Sequence, residues 1–317
     1  MFVYSAPSSE INSMKMNYLI TFFKGMAMGA ADVVPGVSGG TIAFISGIYE
    51  ELLSSISNIN VDLFKTLKNE GFKSAWKKLN GNFLLALFAG IFISVISLAK
   101  AIKYLLENEP ILLWSFFFGL VLASIIYIAK QINKWNYIAV ILLFVGTFTA
   151  YFITTLNPLI SEKSSLLFMF IAGALAICAM ILPGISGAFI LVLLGAYKPI
   201  LSAVTEKDLK TISAVGFGAI IGLLSFSKIL KWLFSNYKEY TLAVLTGFII
   251  GSLNKIWPWK ETITWRTNSH GEQVPFNQHS VLPSNFDGDT QLLFASLLAL
   301  VGFFLILGME RLAVQKK

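Results

Sequence analysis

The sequence predicts an all-α fold, a polytopic transmembrane helical bundle of two inverted repeats, each with a broken or re-entrant helical hairpin and three spans. Hydrophobic residues make up 56% of the chain and charged residues 13%, with a mean hydropathy of +0.73, whereas soluble domains hold about 25% charged residues. Apolar windows of roughly 18–20 residues recur, and each is long enough to cross a hydrocarbon core of about 30 Å. A Pro-Gly-x-Ser-Gly motif also occurs once in each half. The clearest windows cover residues 83–98, 111–129, 137–156, 213–230, 242–256 and 292–309.

The polar residues exclude several classes of function. The net charge of +7 comes from lysines at the ends of apolar segments, a pattern of membrane topology, so no nucleic-acid partner is expected. Cys178 is the only cysteine, and His270 and His279 are the only histidines, so neither a disulfide framework nor a metal centre is predicted. No Walker loop, dinucleotide fingerprint or intramembrane Ser/His/Asp set occurs, so the chain is not expected to be an enzyme.

An internal repeat divides the chain into two halves. Residues 25–54 align without gaps on 173–202, and residues 90–124 align on 218–252. The first repeat is predicted to cover residues 1–160, with a broken segment at 18–56, an insert at 57–80 and three spans. The second is predicted to cover residues 161–317, with a broken segment at 165–204, three spans and a long loop at 257–290.

The direction of the two halves depends on the broken segments. Proline and glycine in Pro-Gly-x-Ser-Gly cannot continue a helix. If the broken segment is a re-entrant hairpin, each half crosses the membrane three times, and if both of its arms span, each half crosses five times. Both counts are odd, so the second half would be inverted. A single kinked span would instead leave the halves parallel. An excess of lysines on one side favours inversion with both termini in the cytoplasm.

Two segments lie outside this symmetry. Residues 61–79 combine apolar and lysine side chains, which predicts one or two amphipathic helices on the cytoplasmic surface, broken near Gly71, with a solvated loop as the alternative. The loop at 257–290 is expected on the outer face, with Trp257, Trp259 and Trp265 at headgroup level.

The paired breaks predict a binding site for an anion. The helices beginning near Gly39 and Gly187 should offer free N–H groups and a positive dipole end, which suit a phosphate. Ser38 and Ser186 could cap these helices or donate to a ligand. The alternative is an ordinary turn between spans, which two matched copies make less favourable. The predicted phosphate-binding residues are Lys24, Gly36, Ser38, Gly39, Gly40, Thr41, Gly184, Ser186 and Gly187.

Ionisable residues beside the first break are candidates for coupling or gating. Asp32 precedes the break, and intramembrane ionisable residues are usually functional. Asp32 could instead cap a helix, and Glu50 could lie at the interface. Tyr49 and Tyr197 are predicted as substrate contacts or, alternatively, interface anchors. No cofactor is expected, and coupling to H⁺ or Na⁺ is left open.

The motifs resemble a known family. Gly25-Met-Ala-Met-Gly-Ala-Ala-Asp-Val-Val-Pro-Gly-Val-Ser-Gly-Gly-Thr41, followed by Gly47-Ile-Tyr-Glu50, is similar to the signature of the bacterial polyprenyl-phosphate transporter family, and Pro183-Gly-Ile-Ser-Gly187 with Gly195-Ala-Tyr197 resembles its second signature. The resemblance covers nearly the whole chain. It implies a multi-pass protein of the bacterial cytoplasmic membrane that returns undecaprenyl phosphate from the outer to the inner leaflet, as the recycled carrier for peptidoglycan and other envelope polymers. The expected partners are a polyprenyl phosphate and membrane lipids.

Two other functions use the same features. A transporter or channel for a small soluble anion needs the same helix starts but a closed aqueous path, whereas a lipid translocase needs a side opening for the tail. A membrane phosphatase would change its substrate chemically, and a translocase would not. The sequence leaves the oligomeric state open.

Overall fold

The computed structural model describes residues 8–33, 38–156, 165–267 and 273–314, which form a helical bundle with one β-hairpin. The helices of the first half are α1 (Ser8–Val33), α2 (Gly39–Ile45), α3 (Tyr49–Ser57), α4 (Val61–Glu70), α5 (Phe72–Leu79), α6 (Gly81–Asn108), α7 (Pro110–Ala129) and α8 (Tyr137–Thr155). Those of the second half are α9 (Leu166–Ile181), α10 (Gly187–Leu193), α11 (Tyr197–Thr205), α12 (Leu209–Ser252) and α13 (Leu292–Val314). Short 3-10 turns cover Leu253–Ile256 and Pro283–Asn285, and the strands are β1 (Lys260–Thr267) and β2 (Gln273–Ser280).

The predicted all-α transmembrane bundle is confirmed. Within the described ranges, four helices are long and apolar enough to cross a membrane: α6, α7, α8 and α12 with its following turn. Helices α9 and α13 contain shorter apolar stretches. Helices α10 and α11 bend by 105° at their junction, so they form either a broken span or a re-entrant loop and not one straight span.

The backbone of the second half repeats that of the first. Glu109 separates α6 from α7 with φ −134° and ψ 50°, and Tyr237, its equivalent, bends α12 with φ −137° and ψ 43°. Helix α12 therefore corresponds to α6 and α7 together. The turns after α2 and α10 also match, because Gly47 and Gly195 both adopt a left-handed φ, at 74° and 71°. The sequence repeat is thus a structural repeat.

Equivalent glycines bring the helices of each half into backbone contact. A methyl group at Gly90 of α6 would lie 2.1 Å from the Phe22 carbonyl oxygen of α1, and one at Gly218 of α12 would lie 2.0 Å from that of Phe170 in α9. Small residues permit such close approach between membrane helices. Each broken segment is therefore fixed against the first long helix of its own half.

The two halves pack on each other through their second and third spans. Helix α7 packs on α13, and α8 packs on the second arm of α12, residues 238–252. Gly247 faces the Leu143 carbonyl, and Gly251 faces the Thr147 carbonyl, which is four residues further along both helices. Helix α8 and this arm therefore run in the same direction.

This parallel pairing bears on the direction of the halves. Helix α8 is the third span of its half, and residues 238–252 form the second span of theirs. Because consecutive spans alternate in direction, the two would be antiparallel if the halves were parallel. Their parallel course supports the inverted arrangement, which stays a prediction.

The long loop of the second half contains structure that the sequence reading did not predict. Strands β1 and β2 pair antiparallel, with irregularities near Thr264. The indole N–H groups of Trp257 and Trp259 donate to carbonyls of Val281 and Thr290, at 2.8 and 3.0 Å. Trp259 is buried. These two tryptophans therefore anchor the loop to the protein, and of the predicted headgroup-level set only Trp265 is exposed.

The insert of the first half forms the two helices α4 and α5, separated at Gly71, whose φ is 85°. Phe64 and Phe72 expose 64% and 68% of their surface, and five lysines lie on the same two helices. An apolar face with surrounding cations suits a membrane interface. Its cytoplasmic location stays a prediction.

Candidate functional site

The two broken segments meet inside the protein. The backbone N–H of Gly184 donates to Thr41 Oγ1 over 2.9 Å, and Ser38 Oγ donates to the Met180 carbonyl over 3.1 Å. Ser38 and Thr41 are 1% and 2% exposed. Each contact joins residues more than 140 positions apart, so the breaks form one polar junction between the halves.

The start of α2 is already satisfied by the protein. Ser38 Oγ accepts from the Gly40 N–H at 3.1 Å, and Asp32 Oδ1 accepts from the Gly39 N–H at 2.7 Å. The expectation of free amides at this helix start is therefore not met. A side-chain hydroxyl and a carboxylate occupy the positions predicted for a phosphate, so Asp32 stands where an anion was expected.

Glycine is required where the breaks touch. A methyl group at Gly39 would lie 2.5 Å from the Asp32 carboxylate, and one at Gly40 would lie 2.7 Å from the carbonyls of Met180 and Ile181. The two glycines thus allow α2 to approach both its own cap and the end of α9. Gly36, the remaining glycine predicted in the first break, lies outside the described residues.

The second break differs from the first in its hydrogen bonds. Gly184 has a left-handed φ of 87°, and a methyl group there would lie 2.7 Å from Ser252 Oγ. Ser186 precedes α10 in an extended conformation, and its side chain makes no capping hydrogen bond. Ser186 is partly exposed and Gly187 is buried. The equivalent serines therefore play different structural roles.

Lys24 and Glu50 lie away from the junction. Lys24 Nζ donates to the Ser46 carbonyl at 2.6 Å, so it lies at the end of α2, opposite to Ser38. Glu50 Oε1 pairs with Lys238 Nζ at 2.6 Å, and both side chains are about half exposed, 54% and 51%. The structure therefore brings Asp32, but neither Lys24 nor Glu50, to the meeting point of the breaks.

The equivalent tyrosines also differ. The Tyr49 hydroxyl donates to the Ile181 carbonyl at 3.1 Å, and its ring contacts Phe44 and Phe234 at 5.0 and 5.9 Å between centroids. Tyr49 is 2% exposed, so it ties α3 to the other half. Tyr197, at the start of α11, is partly exposed.

Two basic residues beside the second break escaped the sequence reading. Lys255 Nζ lies 4.5 Å from the ring centroid of Phe189 in α10, and Lys260 Nζ lies 4.4 Å from that of Trp114 in α7. Burial, with the nearby charge of Lys255, lowers the pKa of Lys260 to about 7. The sequence signal for this pair was the presence of two lysines near the Trp-Pro-Trp segment. The same pattern is equally typical of an interface anchor, so it did not indicate a site.

Comparison with known proteins identifies the family. Residues 28–274 match a family model named VCA0040-like and described as undecaprenyl phosphate translocase-like. The chain belongs to this family. The matched range includes the polar junction formed by the two breaks. Among the described residues, no group of three or more His, Cys, Asp or Glu could hold a metal ion.

Two curated relatives cover most of the chain. A polyprenyl-phosphate transporter of Vibrio cholerae serotype O1 (strain ATCC 39315 / El Tor Inaba N16961) is 51% identical over 302 residues, which is 94% of this chain and 98% of that protein. A polyprenyl-phosphate transporter of Staphylococcus aureus (strain NCTC 8325 / PS 47) is 34% identical over 259 residues, 75% and 86% of the two chains. No solved structure matches this translocase-like chain. The family and these relatives indicate a multi-pass membrane transporter, not an enzyme.

Proposed function

We propose that this chain carries undecaprenyl phosphate, or a similar polyprenyl phosphate, from the outer to the inner leaflet of the bacterial cytoplasmic membrane. The lipid would then serve again as the carrier for peptidoglycan and other envelope polymers. The names of the two relatives support the substrate class. The proposed direction of transport and the proposed membrane rest on where such a carrier lipid is released after use and where it is used again.

The meeting of the two breaks is the observation that carries this proposal. Helix α9 has 16 residues, which at 1.5 Å per residue is about 24 Å, shorter than the hydrocarbon core of about 30 Å. A helix of this length that begins at one membrane surface ends inside the hydrocarbon core, which supports a second break within the depth of the membrane. A polar junction at that depth offers a headgroup the partners that lipid tails lack. The isoprenoid tail can stay in lipid while the headgroup crosses.

Asp32 gives this junction a gate. Its carboxylate accepts a hydrogen bond from the Gly39 N–H, and a phosphate would bind the same group. Headgroup and carboxylate cannot both accept from this amide, so binding at α2 requires Asp32 to move. Neutralisation by H⁺ or screening by Na⁺ would favour that movement, and this couples the ion to the headgroup. Glu50 is the weaker candidate because its partner Lys238 holds it at the surface.

Transport by the purified protein tests the proposal. The full chain is reconstituted into liposomes with a fluorescent polyprenyl phosphate, and its loss from the outer leaflet is followed by a membrane-impermeant quencher. The unmodified chain should accelerate the exchange. Ser38→Ala removes the cap of α2 and the contact to α9 together, and should slow exchange about tenfold, the equivalent of about 1.4 kcal/mol. Ser97→Ala, which removes a bond within α6 only, is the matched control.

The role of Asp32 is tested in the same assay. Asp32→Asn keeps an oxygen that can accept from the Gly39 N–H but removes the charge, so the fold should persist while the response to an imposed ion gradient is lost. An unchanged gradient response would show that Asp32 only caps α2. Failure of the unmodified chain to exchange polyprenyl phosphate would refute the proposed function itself.

A further inference from the structure

Two lysines beside the second break have no acidic partner among the described side chains. Lys255 lies in the 3-10 turn that follows α12, and Lys260 is the first residue of β1. The ion pairs of the described residues involve neither of them. Both side chains are partly buried. Two cations in such positions are costly unless something offsets their charge.

The contacts of these lysines hold them in a defined arrangement. Each ammonium lies over an aromatic ring, Lys255 over Phe189 and Lys260 over Trp114. Lys260 Nζ also donates to the backbone carbonyl of Lys255. Aromatic faces favour a cation without neutralising it, so the net charge of this basic pair stays uncompensated. The proximity is close enough for Lys255 to lower the pKa of Lys260.

The basic pair lies beside the second broken segment. Phe189 is the third residue of α10, which begins directly after that break. The break itself contacts the end of α12, since Gly184 faces Ser252 and the Phe248 carbonyl. Lys255 follows Ser252 by three residues. The pair thus lies where the hairpin loop attaches to the end of α12, next to one side of the polar junction.

We propose that Lys255 and Lys260 form a binding site for a phosphate monoester, which receives the lipid headgroup on the loop side of the second break. This rests on the proposed transport of a polyprenyl phosphate. A phosphate monoester carries close to two negative charges at neutral pH and three acceptor oxygens. When both lysines are protonated, their two ammonium groups match that charge, and each has donors left for the oxygens. The aromatic rings provide apolar surface beside the ammonium groups, and less polar surroundings strengthen such a contact.

The same chemistry could come from a lipid headgroup or from free phosphate, and binding experiments separate the two. The full-length protein in detergent micelles is titrated with farnesyl phosphate, farnesol and inorganic phosphate. Farnesyl phosphate should bind best, because the headgroup uses the lysines and the chain uses the apolar surroundings. Equal or tighter binding of inorganic phosphate would overturn the assignment to a lipid headgroup.

Substitutions test the lysines directly. Lys255→Gln and Lys260→Gln should each weaken farnesyl phosphate binding about tenfold, because each removes a charge-assisted hydrogen bond. Farnesol binding should not change. The double Lys→Arg variant keeps both charges and the contact with the rings, so it should restore most of the affinity. Lys210→Gln, at an exposed lysine on α12, is the matched control.

The outcomes distinguish this inference from the proposed function. If the unmodified chain binds farnesyl phosphate and both single Gln variants bind it equally well, the basic pair is not the site and the transport proposal survives. If the unmodified chain binds no polyprenyl phosphate, the proposed function fails first. Elution as a single species from size exclusion shows that each variant is folded, and the single variants remain informative if a double variant is not.

Discussion

A single methyl group at Gly218 tests how the broken segment is held. In Gly218→Ala the new Cβ would lie 2.0 Å from the Phe170 carbonyl oxygen, whereas ordinary contacts begin at 3.4 Å. Helices α9 and α12 would therefore have to separate by about 1.4 Å, the difference between these distances. Overpacking of this kind costs about 1–3 kcal/mol.

Gly216→Ala is the matched control on the same helix. Gly216 lies two residues before Gly218 and is exposed, and a methyl group there meets nothing within 4 Å. The change from glycine to alanine should gain about 1 kcal/mol in helix propensity at either position. This gain cancels in the comparison, so the difference between the variants isolates the clash of about 1–3 kcal/mol.

Thermal unfolding of the purified protein in one detergent measures this difference. Gly218→Ala should melt several degrees below Gly216→Ala. Gly90→Ala, which places a methyl group 2.1 Å from the Phe22 carbonyl, should show a similar loss because the first half repeats the contact. Equal melting of Gly218→Ala and Gly216→Ala would refute the close packing of α9 on α12.

Other substitutions test the junction and its surroundings. Thr41→Val leaves the buried Gly184 N–H without its acceptor and should cost about 1–3 kcal/mol in unfolding measurements, while Thr41→Ser should be nearly neutral. Tyr49→Phe removes one buried hydrogen bond between the halves and should cost about 0.5–1.5 kcal/mol in the same assay. Glu50→Gln breaks an exposed ion pair and should change neither melting nor transport measurably. Because the pKa of Lys260 is lowered to about 7, its charge is present below that pH and lost above it. Affinity for farnesyl phosphate should therefore fall as pH rises from 7 to 9, and Lys260→Gln should flatten that fall.

The breaks and the repeat could be read from the sequence because proline and glycine encode backbone geometry locally. Pro183 lacks the N–H that a helix interior needs, and Gly195 can adopt its left-handed φ without strain. Pro110 favours the break at Glu109, because proline disfavours a helical conformation in the residue before it, whereas no proline follows Tyr237 and only the aligned block carried the equivalence. At Tyr237 the alignment thus indicated a backbone feature that residue type does not reveal.

The polar contacts between the halves could not be predicted in this way. Gly184 and Thr41 are 143 positions apart, and nothing local to either residue selects the other. Asp32 shows the same problem on a smaller scale. It lies seven positions before Gly39, but whether its carboxylate faces the helix start depends on the path of the intervening break.

The sequence contains a signal for the β-hairpin of the loop, but other features of the chain outweighed it. Residues 262–265 read Thr-Ile-Thr-Trp, and β-branched and aromatic residues in succession favour a strand. The strongly helical character of the rest of the chain, and the many polar residues of the loop, pointed away from a sheet. Local propensity was the better guide here.

The repeat explains how one framework can give two unlike ends of a transport path. The matched glycines and bends make the backbones of the halves equivalent, but the side chains at the breaks are not. Asp32 corresponds to Met180, and it closes the start of α2, whereas the same position in the second half brings no carboxylate to α10. Thr41 corresponds to Phe189, which provides the ring beneath Lys255. An anion therefore meets a capped, carboxylate-guarded break in one half and a break flanked by uncompensated cations in the other. A headgroup moving between them would pass from attraction by lysines to competition with Asp32. If the proposed transport is correct, the two ends of the path differ in these unmatched side chains and not in the repeated backbone.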